Sequence, residues 1–541
     1  MEQQNIVFSE EELKTVLQEE IQSAVVSIQR NPESPLLNKV RSKFEITGLV
    51  SLLFGGAFTL CFYKASAGIN IIFFTSVMIV LLQFVMKQFE LPMKKGTYLY
   101  YLGAMLAGLS SAMTSSDKLQ LINLVLSICL LNLSLLHQLH QVRDWDVQNY
   151  LGRMFGMLFI GFASIGMPFV DGINFMKRTK LFRYDKTRNI VVGILISVPL
   201  LWIIVLLLSQ ADMIFGDMTK ELMEHIFSTE IIAILLMALF GFFSCYCILC
   251  GAAAQTGREE RMRRKGDSSI AVTVILLITL LYLIFCGLQL MYLFSNGLFA
   301  LPEGYTFAEY ARRGFFELLA VAVINVVLML IATAYFEEST FLRRLLTLMT
   351  ICTYIMIGSA AYRMLLYIGA YHLTFLRLFV LLALVILSLI LAGVIITVYR
   401  KSFPLFRYCV AVITVCYLAF AFSKPDYFIA SYLEEHKPLL SAEDAAFMVQ
   451  ELSPDAALVV LPLLSDGSRW TESAKEGTEV YASYDFYDDG MVAELLSLDY
   501  YSTSYYETIR RMIEDRDIRD YNFSVAKAGN LTKVYPIKYH K

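Results

Sequence analysis

The chain contains about a dozen apolar segments of membrane-spanning length between Ile46 and Ser423, with clusters of Lys and Arg between many of them. The hydrocarbon core of a bilayer is roughly 30 Å thick, and a helix of about 20 apolar residues is needed to cross it. Within that core a helix satisfies its own backbone hydrogen bonds. The pattern therefore predicts an all-α membrane bundle that crosses the bilayer many times.

Composition agrees with this prediction. Hydrophobic residues make up 57% of the chain and charged residues 17%, whereas soluble domains have about 45 to 50% apolar and about 25% charged residues. The excess apolar surface is expected to face lipid. Residues 424–541 differ, because they hold 12 Lys and Arg against 21 Asp and Glu. This acidic segment is predicted to be a small, mainly helical soluble domain.

Eleven segments are predicted to cross the membrane: 46–63, 69–86, 97–114, 119–138, 190–209, 231–251, 270–295, 314–334, 346–369, 375–398 and 405–423. A twelfth segment, 150–170, is long enough to cross but is rich in glycine and is followed by a basic stretch up to Arg188. Its Gly152 and Gly156 could allow close approach to a neighbouring helix.

The distribution of basic residues separates the two topologies, because Lys and Arg concentrate in cytoplasmic loops. If 150–170 does not cross and the N-terminus is cytoplasmic, 24 Lys and Arg lie inside and 6 outside. If 150–170 crosses, the numbers become 12 and 18. We therefore predict eleven spans, with twelve as the alternative, and an interfacial or re-entrant helix at 150–170.

This topology divides the chain into three parts. Residues 1–45 form a cytoplasmic amphipathic segment, 46–423 the membrane domain, with 150–189 as its interfacial basic segment, and 424–541 an extracytoplasmic domain. The predicted location is the cell membrane, with the lipid bilayer as the first partner.

A set of charged residues is predicted to form a rim at the outer face. Thr306 and Glu309 have the spacing of a helix capping box, and Glu309, Arg313 and Glu317 then share one helix face. Arg363 lies inside its predicted span, where a charge is costly unless it pairs or snorkels. One hypothesis is that it pairs with Glu317, for whose carboxylate Arg313 and Arg377 compete. The alternative is that Arg363 snorkels alone and Glu317 pairs with Arg313 within its own helix. The candidate rim comprises Asp212, Glu309, Arg312, Arg313, Glu317, Arg363 and Arg377.

Several separated motifs occur along the chain in a characteristic order: LLLSQADMIFGDM (206–218), YLIFCGLQLMYLF (282–294), TFAEYARRGFFELL (306–319), AAYRMLLYIGAYHLTFLR (360–377), FPLFRY (403–408) and KPDYFIASY (424–432). Over about residues 190–455 the sequence resembles a family of bacterial multi-pass membrane proteins that is catalogued as a domain of unknown function. The resemblance implies a multi-pass fold and no catalytic residue.

Enzymatic signals are weak. The sequence contains no P-loop, dinucleotide-binding, zinc-protease or serine-hydrolase motif. Cys245, Cys247 and Cys250 could offer thiolates to a metal, but a fourth ligand is not apparent. We expect no metal, no cofactor and no nucleic-acid partner.

Two functions remain. One is a non-enzymatic envelope sensor or assembly scaffold with its functional face outside, where an envelope protein could bind. The alternative is a transporter of an ion or small molecule whose C-terminal domain covers the outer mouth. A polar cavity that reaches the middle of the membrane would favour transport.

Overall fold

The computed structural model describes residues 34–140, 147–178, 229–256, 265–294, 315–400, 402–476, 478–482 and 492–536, together with twelve isolated positions between 193 and 215. The structural statements below apply to these residues. They form an almost entirely helical protein, as the sequence predicts.

The membrane part begins with a short helix and continues with long apolar helices. In chain order these are α1 (Pro35–Ser42), α2 (Phe44–Phe62), α3 (Ile69–Gln88), α4 (Thr97–Met113), α5 (Asp117–Leu139), α6 (Val147–Ala163), α7 (Met167–Arg178), α8 (Thr229–Ala254), α9 (Ser268–Phe294), α10 (Phe315–Tyr335), α11 (Thr340–Tyr371), α12 (Phe375–Tyr399) and α13 (Leu405–Phe422).

Nine of the described helices are long and apolar enough to cross a membrane, and two bent helix pairs could raise the number to eleven. The nine coincide with nine of the predicted spans. A tenth predicted span, 97–114, is the helix α4, which has 17 residues. The eleventh, 190–209, lies largely outside the described residues. The protein is therefore a multi-pass membrane protein.

The C-terminal part is built from short helices and one hairpin. These are α14 (Pro425–His436), α15 (Ala442–Gln450), α16 (Ala457–Ser465), α17 (Glu472–Glu476), β1 (Thr478–Ala482), β2 (Val492–Leu496), α18 (Leu498–Glu514) and α19 (Phe523–Val534). The two strands are antiparallel, with Val480 opposite Glu494. Three 3-10 turns, Pro454–Ala456, Gly467–Arg469 and Ile518–Asp520, connect the helices.

The chain forms two compact units. The larger unit contains residues 52–154, 221–241 and 261–541. A continuous hydrophobic core runs within it from the membrane helices, where Met349 and Leu391 are fully buried, to the C-terminal helices, where Ile429 and Leu461 are fully buried. The C-terminal domain is thus packed onto these membrane helices through a shared core.

The smaller unit contains residues 1–51, 155–220 and 242–260. Here α6 packs closely on α8, because a Cβ added at Gly161 would lie 2.8 Å from the carbonyl oxygen of Cys247. Gly251 of α8 is similarly close to the carbonyl of Met157. Gly156 faces Gln255, whereas Gly152 has open space around it. Of the two glycines predicted to allow close approach, only Gly156 lies against a neighbour.

After α6 the chain bends by 59° into α7. Tyr246 donates a hydrogen bond of 2.8 Å to Asp171 in α7, and Arg41 of α1 forms an ion pair of 3.1 Å with the same carboxylate. Arg178, at the end of α7, donates to the carbonyl of Ser42. Since Ser42 precedes α2, α7 ends beside the start of that span. The bent pair α6–α7 fits either a broken span or a re-entrant loop, so the position of 150–170 stays a prediction.

Candidate functional site

Two short connections between helices of the larger unit carry polar groups that form hydrogen bonds with the C-terminal domain. One connection joins α2 to α3 and includes Ser66, Ala67 and Gly68; the other joins α4 to α5 and includes Thr114 and Ser115. Helix ends leave backbone donors and acceptors without intrahelical partners. We call these two connections the docking loops.

Asp455 is the centre of the contact with the second docking loop. It lies in the 3-10 turn Pro454–Ala456 and its side chain is 1% exposed. One carboxylate oxygen accepts a hydrogen bond of 2.5 Å from the Thr114 hydroxyl. The other accepts from the backbone amide of Ser115 at 3.0 Å and from its hydroxyl at 2.9 Å. A buried carboxylate with several donors is stabilised rather than orphaned.

Two further groups of the C-terminal domain complete this cluster. The hydroxyl of Ser524 donates to Oδ1 of Asp455, the oxygen that also accepts from Ser115. The Lys424 ammonium lies 4.0 Å from this Oδ1. Lys424 also donates to Ser524 at 3.3 Å. Asp455 therefore ties the docking loop, the start of α14 and the start of α19 together. We call Thr114, Ser115, Lys424, Asp455 and Ser524 the Asp455 clamp.

Asn522 adds a second attachment to the same loop. Its side-chain amide donates to the carbonyl oxygens of Ser111 at 3.1 Å and Thr114 at 2.7 Å. Its side-chain oxygen accepts from the amides of Ser524 and Val525 and so caps α19. One residue thus fixes both the end of α4 and the start of α19.

The first docking loop is held by the turn that precedes α19. Asp520 accepts a hydrogen bond of 2.9 Å from the Ser66 amide, and Arg516 donates to the carbonyl of Ala67 at 2.9 Å. Burial lowers the pKa of Arg516. Backbone contact is direct, because the amide of Ile69 donates to the carbonyl of Tyr521 at 3.0 Å.

Gly68 is required by this backbone approach. A Cβ added at Gly68 would overlap the carbonyl oxygens of Asp520 and Tyr521. These are backbone atoms, so they cannot move aside as the end of a flexible side chain could. Glycine at this position lets the loop and the turn meet.

A second buried carboxylate lies next to the clamp. Asp426 is 3% exposed, and it accepts hydrogen bonds from the Ser453 hydroxyl at 2.5 Å and the Ser453 amide at 3.2 Å. Burial raises its pKa above the ordinary value of 3.8, and the nearby Asp455 charge acts in the same direction. Burial likewise raises the pKa of Tyr505, whose hydroxyl has no hydrogen-bond partner among the described residues.

The predicted ion pair between Glu317 and Arg363 is not formed. Arg363 is 6% exposed and donates to the side-chain oxygen of Gln289 at 3.1 Å. Ser359 donates to that same oxygen at 2.8 Å. Glu317 is exposed. Gln289 of α9 provides an uncharged acceptor for the buried guanidinium, and the exposed Glu317 does not pair with it.

The other residues of the predicted rim are dispersed. Arg377 donates to the carbonyls of Tyr371 and His372 and lies over the ring of Tyr367, so it caps the end of α11. Asp212, in the smaller unit, accepts from the Phe215 amide. Three further rim residues lie outside the described residues: Glu309, Arg312 and Arg313.

The hydrogen bonds that the structure describes between the C-terminal domain and the docking loops involve none of the seven predicted rim residues. They are formed by Asp455, Asp520, Arg516 and Asn522 together with hydroxyl and backbone groups of the loops, none of which was predicted from the sequence as a site residue. A usable signal was present, since Thr114, Ser115 and Ser116 directly follow an apolar span and Asp455 follows a Ser-Pro pair. Short polar side chains at helix ends commonly satisfy backbone groups.

The three cysteines of the CYCILC motif lie on α8 as separate thiols. Among the described residues no group of three or more His, Cys, Asp or Glu side chains could hold a metal ion. What the Asp455 clamp can do chemically is bind one segment of the chain to another.

Comparison with known proteins identifies the family. Residues 101–463 match a domain of unknown function (DUF4153). No curated protein and no solved structure matches the chain. The matched region begins well before residue 190, where the resemblance was first apparent, and it includes Thr114, Ser115 and Asp455. Because it covers more than half of the sequence, the chain belongs to the DUF4153 family of membrane proteins.

Proposed function

We propose that this protein is a non-enzymatic scaffold or sensor of the bacterial cell membrane that presents its C-terminal domain in one fixed pose on the outer side. The observation that carries the proposal is the saturation of Asp455 by donors from a docking loop and from the domain itself. A carboxylate bonded in this way orders two parts of the chain. An envelope protein that binds the presented surface is the expected partner.

The charge distribution supports this orientation. In the larger unit the C-terminal domain packs against the end of the bundle formed by the docking loops. The opposite end of the unit carries many basic residues: Lys94, Lys95, Lys265, Arg343, Arg344, Arg400 and Arg407. Since cytoplasmic loops are enriched in Lys and Arg, the basic end is expected inside and the C-terminal domain outside.

Packing in the middle of the helices supports a scaffold over a transporter. The polar side chains there bind one another, because Tyr282 donates to Asn325 at 2.7 Å and Asn325 donates to Thr353 at 3.0 Å. Met349 and Met356 on the same helix as Thr353 are 0% and 1% exposed. Interhelical hydrogen bonds of this kind are typical of packing contacts in membrane bundles.

Cysteine accessibility tests the proposal. Cys352 is 1% exposed in the middle of α11. In a variant in which the other cysteines are replaced, labelling of Cys352 reports whether water reaches the middle of the helices. Ser423, exposed at the docking end, provides the comparison as a single-cysteine S423C variant. A membrane-impermeant maleimide added to intact cells is expected to label S423C and to leave Cys352 unlabelled until the protein is denatured.

Two outcomes would contradict the proposal. Labelling of Cys352 in the folded protein at a rate close to that of S423C would indicate an aqueous pathway and favour the transporter. Absence of labelling of S423C in intact cells, with labelling after lysis, would reverse the orientation.

A further inference from the structure

A cavity of about 440 Å³ lies in the larger unit at the end opposite the C-terminal domain. Among the described residues that line it, three are basic, Lys265, Arg343 and Arg407, and one is acidic, Glu338. Arg343 and Glu338 form an ion pair of 2.6 Å, which orients the guanidinium. The Nε of Arg343 is buried and has no hydrogen-bond partner among the described residues. The lining therefore has an excess of positive charge and a donor that remains to be satisfied.

The backbone adds to this positive character. The N-terminal ends of three helices reach the cavity: α6 through Val147 and Gln148, α11 through Ser339, and α13 through Leu405. A helix N-terminus carries a partial positive charge and favours anions. The C-terminal ends of α10 and α12 also border the cavity, and Lys265 donates to the Thr333 carbonyl of α10 at 3.4 Å.

One wall of the same cavity is apolar. Leu330, Leu342, Leu346 and Val398 line it, and the ring of Phe406 stacks on that of Tyr150 with centroids 4.0 Å apart. A small inorganic anion would use the cationic groups and leave this wall uncovered. A ligand with an anionic head and an apolar chain would use both parts of the lining.

We propose that this cavity binds the phosphate headgroup of an anionic membrane lipid. Arg343, Arg407 and Lys265 bind the phosphate oxygens, because guanidinium groups form strong, often bidentate hydrogen bonds with phosphate. The apolar wall takes the first part of the acyl chains. Basic pockets between membrane helices at the cytoplasmic side are suited to anionic headgroups. This site lies at the opposite end of the unit from the surface assigned to the scaffold function and is independent of it.

Native mass spectrometry of the full-length protein, purified in a neutral detergent, tests the proposal. The protein is mixed with equal amounts of phosphatidylglycerol and phosphatidylcholine. The wild type is expected to retain phosphatidylglycerol preferentially. The variant R343Q/R407Q should bind phosphatidylglycerol with an affinity about tenfold or more lower, because the loss of hydrogen bonds to charged groups lowers affinity by at least this factor. R343K, which keeps the charge, should retain most of it.

Arg344 offers a matched control, because it is the exposed neighbour of Arg343 on α11 and does not line the cavity. R344Q is expected to bind phosphatidylglycerol as the wild type does. A loss in R344Q as large as that in R343Q/R407Q would overturn the proposal in favour of general surface attraction. Equal retention of the two lipids by the wild type would also overturn it.

A second arm uses inorganic phosphate to separate the two sources of the phosphate group. If the lipid is the ligand, millimolar phosphate should displace little phosphatidylglycerol. If phosphate displaces the lipid completely at such concentrations, the acyl chains contribute nothing and the lipid assignment is wrong. Melting temperatures of the variants close to that of the wild type exclude misfolding as the cause of lost binding.

Discussion

Asp426 and Asp455 are neighbouring carboxylates in the same buried region, and their surroundings differ. Asp455 receives donors from a docking loop and from α19, whereas Asp426 receives only those of Ser453 among the described residues. Burial is the main cause of the raised pKa of Asp426. A carboxyl whose folded-state pKa is raised favours the folded state most when it is protonated.

The substitution D426N should therefore change the pH dependence of stability. In the wild type, the contribution of Asp426 is fully present below the ordinary pKa of 3.8 and is lost as the pH rises through the raised value. Asparagine keeps an oxygen acceptor for Ser453 and has no charge. We expect D426N to be more stable than the wild type near neutral pH, and this advantage should shrink as the pH falls toward 3.8.

Melting temperatures of the purified protein over this pH range measure the effect. The exposed Glu443 of the same domain supplies a control. The free energy of unfolding of E443Q should differ from that of the wild type by less than about 0.5 kcal/mol at every pH, so their melting temperatures should nearly coincide. An advantage of D426N that stayed constant with pH would argue against titration of Asp426.

At this scale the sequence was a poor guide. It drew attention to charged residues such as Glu317 and Arg363, because charges in apolar segments stand out. The contacts that attach the domain pair charged side chains such as Asp455, Asp520 and Arg516 with hydroxyl and backbone groups of the docking loops. These loop groups are common in every sequence, and the charged residues lie in the polar C-terminal segment, where charges do not stand out. Asp455 and Ser115 are also 340 residues apart, and no local pattern reveals such a pairing.

At the scale of helices the sequence was far more informative. Nine predicted spans are present as helices of sufficient length and hydropathy, because each span satisfies its own backbone and its apolar length is a local property. The bend between α6 and α7 fits the re-entrant form predicted for 150–170, but the contacts of Asp171 with Tyr246 and Arg41 were not predicted, because they join residues far apart in the sequence. The β1–β2 hairpin was also missed, as its strands lie on either side of a tyrosine-rich stretch.

A substitution in the docking loop between α2 and α3 tests whether the close contact between this loop and the turn before α19 holds the domain in place. G68A places a methyl group against the backbone of Asp520 and Tyr521, and overpacking of this kind typically costs about 1 to 3 kcal/mol. We expect faster hydrogen exchange at the amides of Ser66 and Ile69, which donate to Asp520 and Tyr521.

G56A is the matched control. Gly56 lies within α2, and an added Cβ there meets no atom within 4 Å. Alanine is favoured over glycine inside a helix by up to about 1 kcal/mol, so G56A should leave the exchange of Ser66 and Ile69 unchanged. If G68A also left it unchanged, the close approach at Gly68 would not hold the domain in place.

For the whole molecule, the eleven-span topology leads to a prediction about its two ends. A reporter that is active only outside the cytoplasm should be inactive when fused after Arg188 and active when fused after Lys541. The reason is the excess of Lys and Arg on one side in this arrangement. Enzyme assays on intact cells measure both fusions, and a cytoplasm-active reporter at the same positions should give the opposite pattern.

Activity of the first reporter after Arg188 combined with inactivity after Lys541 would support twelve spans. The bent pair α6–α7 fits a broken span or a re-entrant loop, so the two fusions decide between the topologies.

The separation of the clamp residues along the chain has a consequence for biogenesis. Ser115 is synthesised 340 residues before Asp455, and at about 5 to 20 residues per second this interval is roughly 17 to 70 s. During that time the C-terminal segments that bind the docking loops in the folded protein have not yet been synthesised. Closure of the clamp can follow only when Ser524 has left the ribosome, so it is one of the last events of assembly. In a chain that stops before α19, the polar groups of the docking loops that bind Asn522 and Ser524 would stay unbound. These exposed groups would distinguish an incomplete chain from a complete one.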